Sequence, residues 1–125
     1  MTTGKFRESK TSSGKVILLG RNAENNEELI SQAGQNEVIL HTAKPGSPFC
    51  NIKADEKDVV KGDIYEAAVF CARYSQDWRD NHQDVEVHVF LGKDIYKDKT
   101  MKLGTFGVRK FKKIVAKKED IEKLK

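Results

Sequence analysis

The sequence is short of cysteine, proline and tryptophan, and it has no long apolar run. Its two cysteines, Cys50 and Cys71, are too few for a disulfide framework and form no CxxC pair, which excludes a disulfide-stapled domain and a zinc finger. No stretch approaches the roughly 18 apolar residues of a membrane span. The start, Met1-Thr2-Thr3-Gly4-Lys5, lacks the apolar core of a secretory signal. A cytoplasmic protein with no membrane partner is expected. His41, His82 and His88 lie too far apart for ligand spacing, so neither a metal nor a cofactor is expected. Phosphate-cradling P-loops, repeats and low-complexity tracts are also missing.

What remains suits a single domain over residues 1–125. Hydrophobic residues make up 38% and charged residues 34%, a polar balance that periodic apolar segments rescue from disorder. The net charge of +4 is uneven: residues 93–125 hold 12 Lys+Arg against 5 Asp+Glu, and residues 1–92 hold 11 against 14. A basic C-terminal segment of this kind can attract phosphate backbones, although charge alone favours the plainer reading that its lysines keep a small domain soluble.

Phe6–Lys10 and Lys15–Gly20 read as strands around the turn Thr11-Ser12-Ser13-Gly14. Val16-Ile17-Leu18-Leu19 is apolar throughout, so that strand should be buried on both faces. Asn22 is placed to cap a helix running to about Gln32, with Gly34 as its stop. Glu37–Thr42 and Phe49–Lys53 flank the turn Pro45-Gly46-Ser47-Pro48. Val60, Ile64, Ala67, Cys71, Tyr74 and Trp78 recur at helical spacing, predicting one long helix to about Asp80, with Asp63 and Glu66 as its capping box and Tyr74 and Trp78 as core residues. Val85–Leu91 alternates as a half-buried strand. Lysine-rich residues 93–102 read as a loop, 104–108 and 112–116 as strands, and 118–125 as a short terminal helix. The class is α+β: a mixed sheet with one long helix and one or two short ones.

Gly20-Arg21-Asn22 stands where a buried strand meets a helix N-terminus, a setting suited to a small anion. Arg21 adds a forked donor, although it could equally pair with Glu24 or Glu28. Asn22 and Asn26 are polar candidates on the first helical turns. His41 and Ser47 lie near one another but lack an oriented carboxylate, so backbone binding at a strand end outweighs nucleophile activation. Arg109-Lys110-Phe111-Lys112-Lys113 interleaves cations with an aromatic ring, as nucleic-acid surfaces do. The plainer alternative is an edge strand guarded by lysines.

Several of these segments, in this order, resemble the NFACT-R family, the R module of the ribosome quality-control and fibronectin-binding-like NFACT proteins. The resemblance rests on Leu19-Gly20-Arg21-Asn22 with Asn26 and Glu28-Leu29, and on Leu40-His41 followed by Lys44-Pro45-Gly46-Ser47. It continues through Glu66-Ala67-Ala68, Tyr74-Ser75, Asp84-Val85 and Gly104-Thr105-Phe106. Ser47-Pro48-Phe49 is similar to a stand-alone, archaeal-like branch; many members carry His where Pro48 stands. The family's long N-terminal domain and coiled coil are not in this sequence, so peptide tailing is not carried over. The resemblance implies binding of structured RNA, tRNA or rRNA, in translation, ribosome quality control or RNA modification, possible ribosome association, and no catalysis. The site residues expected are Arg21, Asn22, Asn26, His41, Lys44, Ser47, Arg109, Lys110, Lys112 and Lys113. Two other classes stay open: an adapter bringing a protein partner to the ribosome or tRNA, and a small RNA- or nucleotide-processing enzyme using Arg21 and His41.

Overall fold

A computed structural model describes residues 5–124. Strands β1 (Arg7–Lys10) and β2 (Val16–Leu19) form a hairpin, and α1 (Ala23–Gln32) follows. Strands β3 (Glu37–Thr42) and β4 (Cys50–Asp55) come next, then α2 (Lys61–Arg73) and α3 (Gln76–Asn81). The chain continues through β5 (Val85–Leu91), the short β6 (Ile95–Tyr96) and β7 (Gly107–Val108), β8 (Lys112–Ala116) and α4 (Lys118–Lys123). Lys125, part of the expected terminal helix and basic segment, lies outside the described residues.

The main sheet has the order β1-β2-β4-β3-β5-β8. Each of its pairings is antiparallel, so the α+β class stands while the expected mixed sheet gives way to an antiparallel one. β6 and β7 form a separate ribbon.

Alternation across the strands sends apolar side chains to both faces. Ile17 and Leu19 of β2 join Leu40, Ile52, Val87, Trp78 and the alanines of α2 in one core. Leu18 joins Leu29 of α1, Ile39, Phe49 and Phe90 in the other. The sheet is thus a middle layer, which is why Val16–Leu19 has no polar position. Leu29 is fully buried, and such a side chain contributes about 1.5–3 kcal/mol relative to exposure.

The expected long helix is two helices. α2 ends at Arg73, and Ser75 caps α3 by accepting from Trp78 N at 3.1 Å. Helical spacing ran through the break because Trp78 returns to the same core. Val60 lies at the N-terminus of α2 and is 58% exposed, not on the buried stripe. The expected Asp63–Glu66 capping box is divided. Asp63 Oδ2 accepts from Val60 N at 3.1 Å. Glu66 instead accepts from the backbone N and Oγ of Ser12, both at 3.0 Å, tying the β1–β2 turn to α2. Ser13 donates to Asp63 at 2.7 Å and is the first cause holding that carboxyl below its ordinary range.

Both cysteines are buried and free. Burial raises the Cys50 thiol well above its ordinary value and pushes Cys71 up to about 12, so both are inert core thiols at neutral pH. No group of three His, Cys, Asp or Glu suited to a metal occurs among the described residues. No helix there is long and apolar enough to cross a membrane.

Candidate nucleic-acid interface

At Gly20 the chain leaves β2 and turns into α1. Asn22 Oδ1 accepts from Asn25 N at 2.8 Å, and Asn25 Oδ1 accepts from Arg21 N at 2.9 Å, so paired amides satisfy the helix N-terminus. Asn26 is buried, and its Oδ1 accepts from Phe49 N at 3.2 Å, fastening α1 to the start of β4. That contact explains Gly20: a Cβ there would lie 2.0 Å from Asn26 Oδ1. These bonds fix the backbone around Arg21. No ion pair joins its guanidinium to Glu24 or Glu28 among the described residues; Glu28 pairs with Lys5 at 2.9 Å.

The β3–β4 turn forms an adjacent wall. Ser47 Oγ accepts from Thr42 N at 3.1 Å and donates to Pro48 O at 3.2 Å, while Gln76 N donates to Gly46 O at 2.9 Å. The turn is thereby docked on the start of α3. His41 Nδ1 donates to Thr42 O at 2.8 Å, and the ring lies 4.4 Å from that of Phe49. Burial lowers the His41 pKa, opposed by the Thr42 and Ser47 backbone; a neutral imidazole is favoured.

The third wall is the segment between β6 and β7. Lys97 Nζ donates to Glu27 Oε2 at 2.6 Å, Lys102 O at 2.7 Å and Thr105 O at 2.8 Å, and it sits 4.5 Å from the Phe106 ring centroid. Glu27 Oε2 also accepts from Gly104 N at 2.7 Å. The Lys97 hydrogen bond is the first cause holding the Glu27 carboxyl below its ordinary range. Gly104 has φ +79 and passes so close to α1 that a Cβ would lie 2.7 Å from Ala23 Cα, an approach only glycine permits.

Together these walls enclose an open groove of about 810 Å³. Arg21, Asn22, Asn26, His41 and Ser47 all line it. Three arginines reach it, Arg7, Arg21 and Arg79, and no carboxylate lines it among the described residues. Phe106, Phe111 and Tyr74 supply aromatic surface, while Phe49 and Phe90 border the groove as buried core residues. Tyr74 is therefore more than the core residue expected: it is half-buried, and the Arg7 guanidinium lies 4.3 Å above its ring.

The other expected residues lie outside this lining. Lys44 is 3.7 Å from Asp77. The Arg109 guanidinium sits 5.0 Å from the Tyr96 ring. Lys113 is 4.0 Å from Glu86. Lys110 and Lys112 line a second depression, of about 440 Å³, beside the first. Reading the sequence missed Arg7, Tyr74, Gln76 and Arg79. The one available signal was Ser75 followed by Gln76-Asp77, a helix start that places Gln76 and Arg79 against the turn.

Fold and groove together define an α+β module whose open cleft combines arginines with flat rings; one of the arginines, Arg79, is also held by Asp80 at 3.0 Å. A family model described as "NFACT protein RNA binding domain" matches residues 5–110, and the chain belongs to that family. No curated protein sequence matches it. A solved structure, the C-terminal of the fibronectin/fibrinogen-binding protein from Streptococcus suis, shares the fold with a TM-score of 0.83 at 21% identity. The alignment covers 98% of this chain and 49% of that one, so the chain spans about half the length of that structure.

Proposed function

We propose that the chain is a non-catalytic RNA-binding module that uses the arginine groove to hold tRNA or rRNA during translation in the cytoplasm. The observation that carries this reading is a groove reached by Arg7, Arg21 and Arg79, lined by aromatic rings and by no carboxylate among the described residues. Arginine grips phosphate with two parallel hydrogen bonds, and rings offer stacking to unpaired bases. The buried amides of Asn25 and Asn26 position the backbone that presents Arg21. Ser47 Oγ is engaged by backbone groups on both sides, an arrangement that favours a turn residue over a nucleophile.

Crosslinking the chain to cellular RNA and sequencing what is recovered tests the proposal. Enrichment of tRNA or rRNA, reduced when Arg21 becomes Lys, is expected, because Lys keeps the charge but loses the fork. Recovery of partner proteins that survives nuclease treatment, with no RNA enriched, would replace this reading with that of a protein adapter.

A further inference from the structure

Phe111 stands where the arginine groove meets the second depression and lines both. One face of its ring is covered: the His88 ring is stacked on it at 4.0 Å with an interplanar angle of 18°. His88 is itself steadied by Glu86, with Nε2 3.0 Å from Oε2. The backing is thus a held ring on a central strand of the sheet. Phe111 is nevertheless 44% exposed, so its remaining surface is left to solvent. A phenylalanine in water costs free energy that packing inward would recover.

The charges flank this ring. Arg7, Arg21 and Arg79 reach the groove on one side; Lys110 and Lys112 line the depression on the other. Glu56 and Asp94 also line that depression, and Asp94 Oδ2 is occupied by Leu91 N at 3.3 Å. The sequence cation, ring, cation matches a sugar–phosphate chain that carries a base between successive phosphates. A duplex keeps its bases stacked on one another and offers the ring nothing.

Resting on the RNA-binding reading of the groove, we propose that an unpaired stretch of RNA runs from the arginine groove across Phe111 into the Lys110–Lys112 depression. One base stacks on the outer face of the ring. Arginines and lysines set affinity through phosphates; Phe111 sets the preference for single strands over duplex.

The test uses the full chain with two fluorescent probes, a single-stranded oligoadenylate of about eight nucleotides, within the span that such grooves cover, and a blunt-ended RNA duplex. Binding is read by anisotropy at low and moderate salt. Phe111→Ala is expected to weaken oligoadenylate binding by about 5- to 100-fold, the range that base–aromatic stacking carries. Duplex binding, held by phosphates, should change less than about twofold. Phe111→Trp should keep oligoadenylate affinity, and its added indole emission should be quenched by the single strand and not by the duplex. The Trp variant carries the test if the Ala variant folds poorly. Unchanged oligoadenylate affinity in a folded Phe111→Ala chain, or an unquenched indole, overturns the stacking proposal while the arginine groove stands. Failure of both probes to bind at low salt overturns the groove reading and this one together.

Discussion

The arginine groove and the C-terminal basic segment are both cationic, but they differ in how much of their charge is already paired. In the segment, Lys97 is bound to Glu27, Lys117 lies 3.6 Å from Asp84, Lys123 lies 3.7 Å from Asp120 and Lys113 lies 4.0 Å from Glu86. Three of these acids lie elsewhere in the fold and one, Asp120, within the segment itself, so part of the charge of residues 93–125 is already neutralised. In the groove, three arginines converge from β1, the β2–α1 junction and α3, with no carboxylate in the lining among the described residues; of the three, Arg79 alone has an ion pair among the described residues, with Asp80 at 3.0 Å. A local excess of lysine in the sequence therefore measures composition, while available charge depends on which acids the fold brings alongside.

The largest expected effect comes from stripping the groove. Arg7→Gln, Arg21→Gln and Arg79→Gln combined should weaken RNA binding by about 1,000-fold or more, since each charge-assisted hydrogen bond is worth about 1.5–3 kcal/mol. The log–log salt slope should shrink by about 0.7 for each single-strand phosphate contact removed. Lys113→Gln, Lys117→Gln and Lys123→Gln remove the same formal charge from the segment and should weaken binding far less. Equal losses from the two triple variants, measured by titration across salt, would erase the distinction between the regions.

A smaller effect is expected where the two regions meet. Lys97→Met should release the segment before β7 from α1 at a cost of about 1 kcal/mol, modest because the ammonium is partly exposed. RNA affinity should fall several-fold, on the order of the same free energy. A melting curve and an anisotropy titration check both. Lost affinity with intact stability would mean that Lys97 touches RNA directly and does not merely hold the wall.

The smallest effect concerns His41, a groove residue expected to contribute without charge. Its pKa is lowered by burial, so below the unfolded value, about 6.5, the unfolded chain binds more protons. His41 therefore supports the fold fully above that pH and loses this contribution as pH falls through the folded pKa. His41→Gln should flatten the stability profile on its acid side below about pH 6.5 and leave its slope near pH 8 unchanged, whatever the lost ring contacts cost overall. A slope identical to that of the parent would show that His41 does not titrate in this way.

Where a feature depended on neighbours in the chain, it was legible beforehand. The apolar run Val16–Leu19 foretold a strand buried on both faces, and Asn22 foretold the start of α1. The break between α2 and α3 was hidden because Tyr74 and Trp78 keep helical spacing across a capped restart at Ser75. The groove was half legible. Arg21, Asn22, Asn26, His41 and Ser47 lie in or beside two connections, β2–α1 and β3–β4, whose residues suggested their own geometry. Arg7, Tyr74 and Arg79 reach the same cleft only because β1 sits at the sheet edge and α3 docks on the β3–β4 turn, and neither relation leaves a mark in residue spacing.

The Glu27 carboxylate also imposes an order on assembly. It joins α1 to Lys97 and Gly104, partners 70 and 77 positions further along the chain. Closing such long loops is entropically costly, and the contacts at stake are polar and near the surface. The β2–β4–β3 core can condense before the far segment arrives. Formation of the groove's third wall then falls after the rate-limiting barrier, and substitutions at Glu27 or Lys97 speed unfolding while leaving the folding rate nearly unchanged. In the native state the same wall is expected to open before the core does, so one side of the binding groove should form late and let go early.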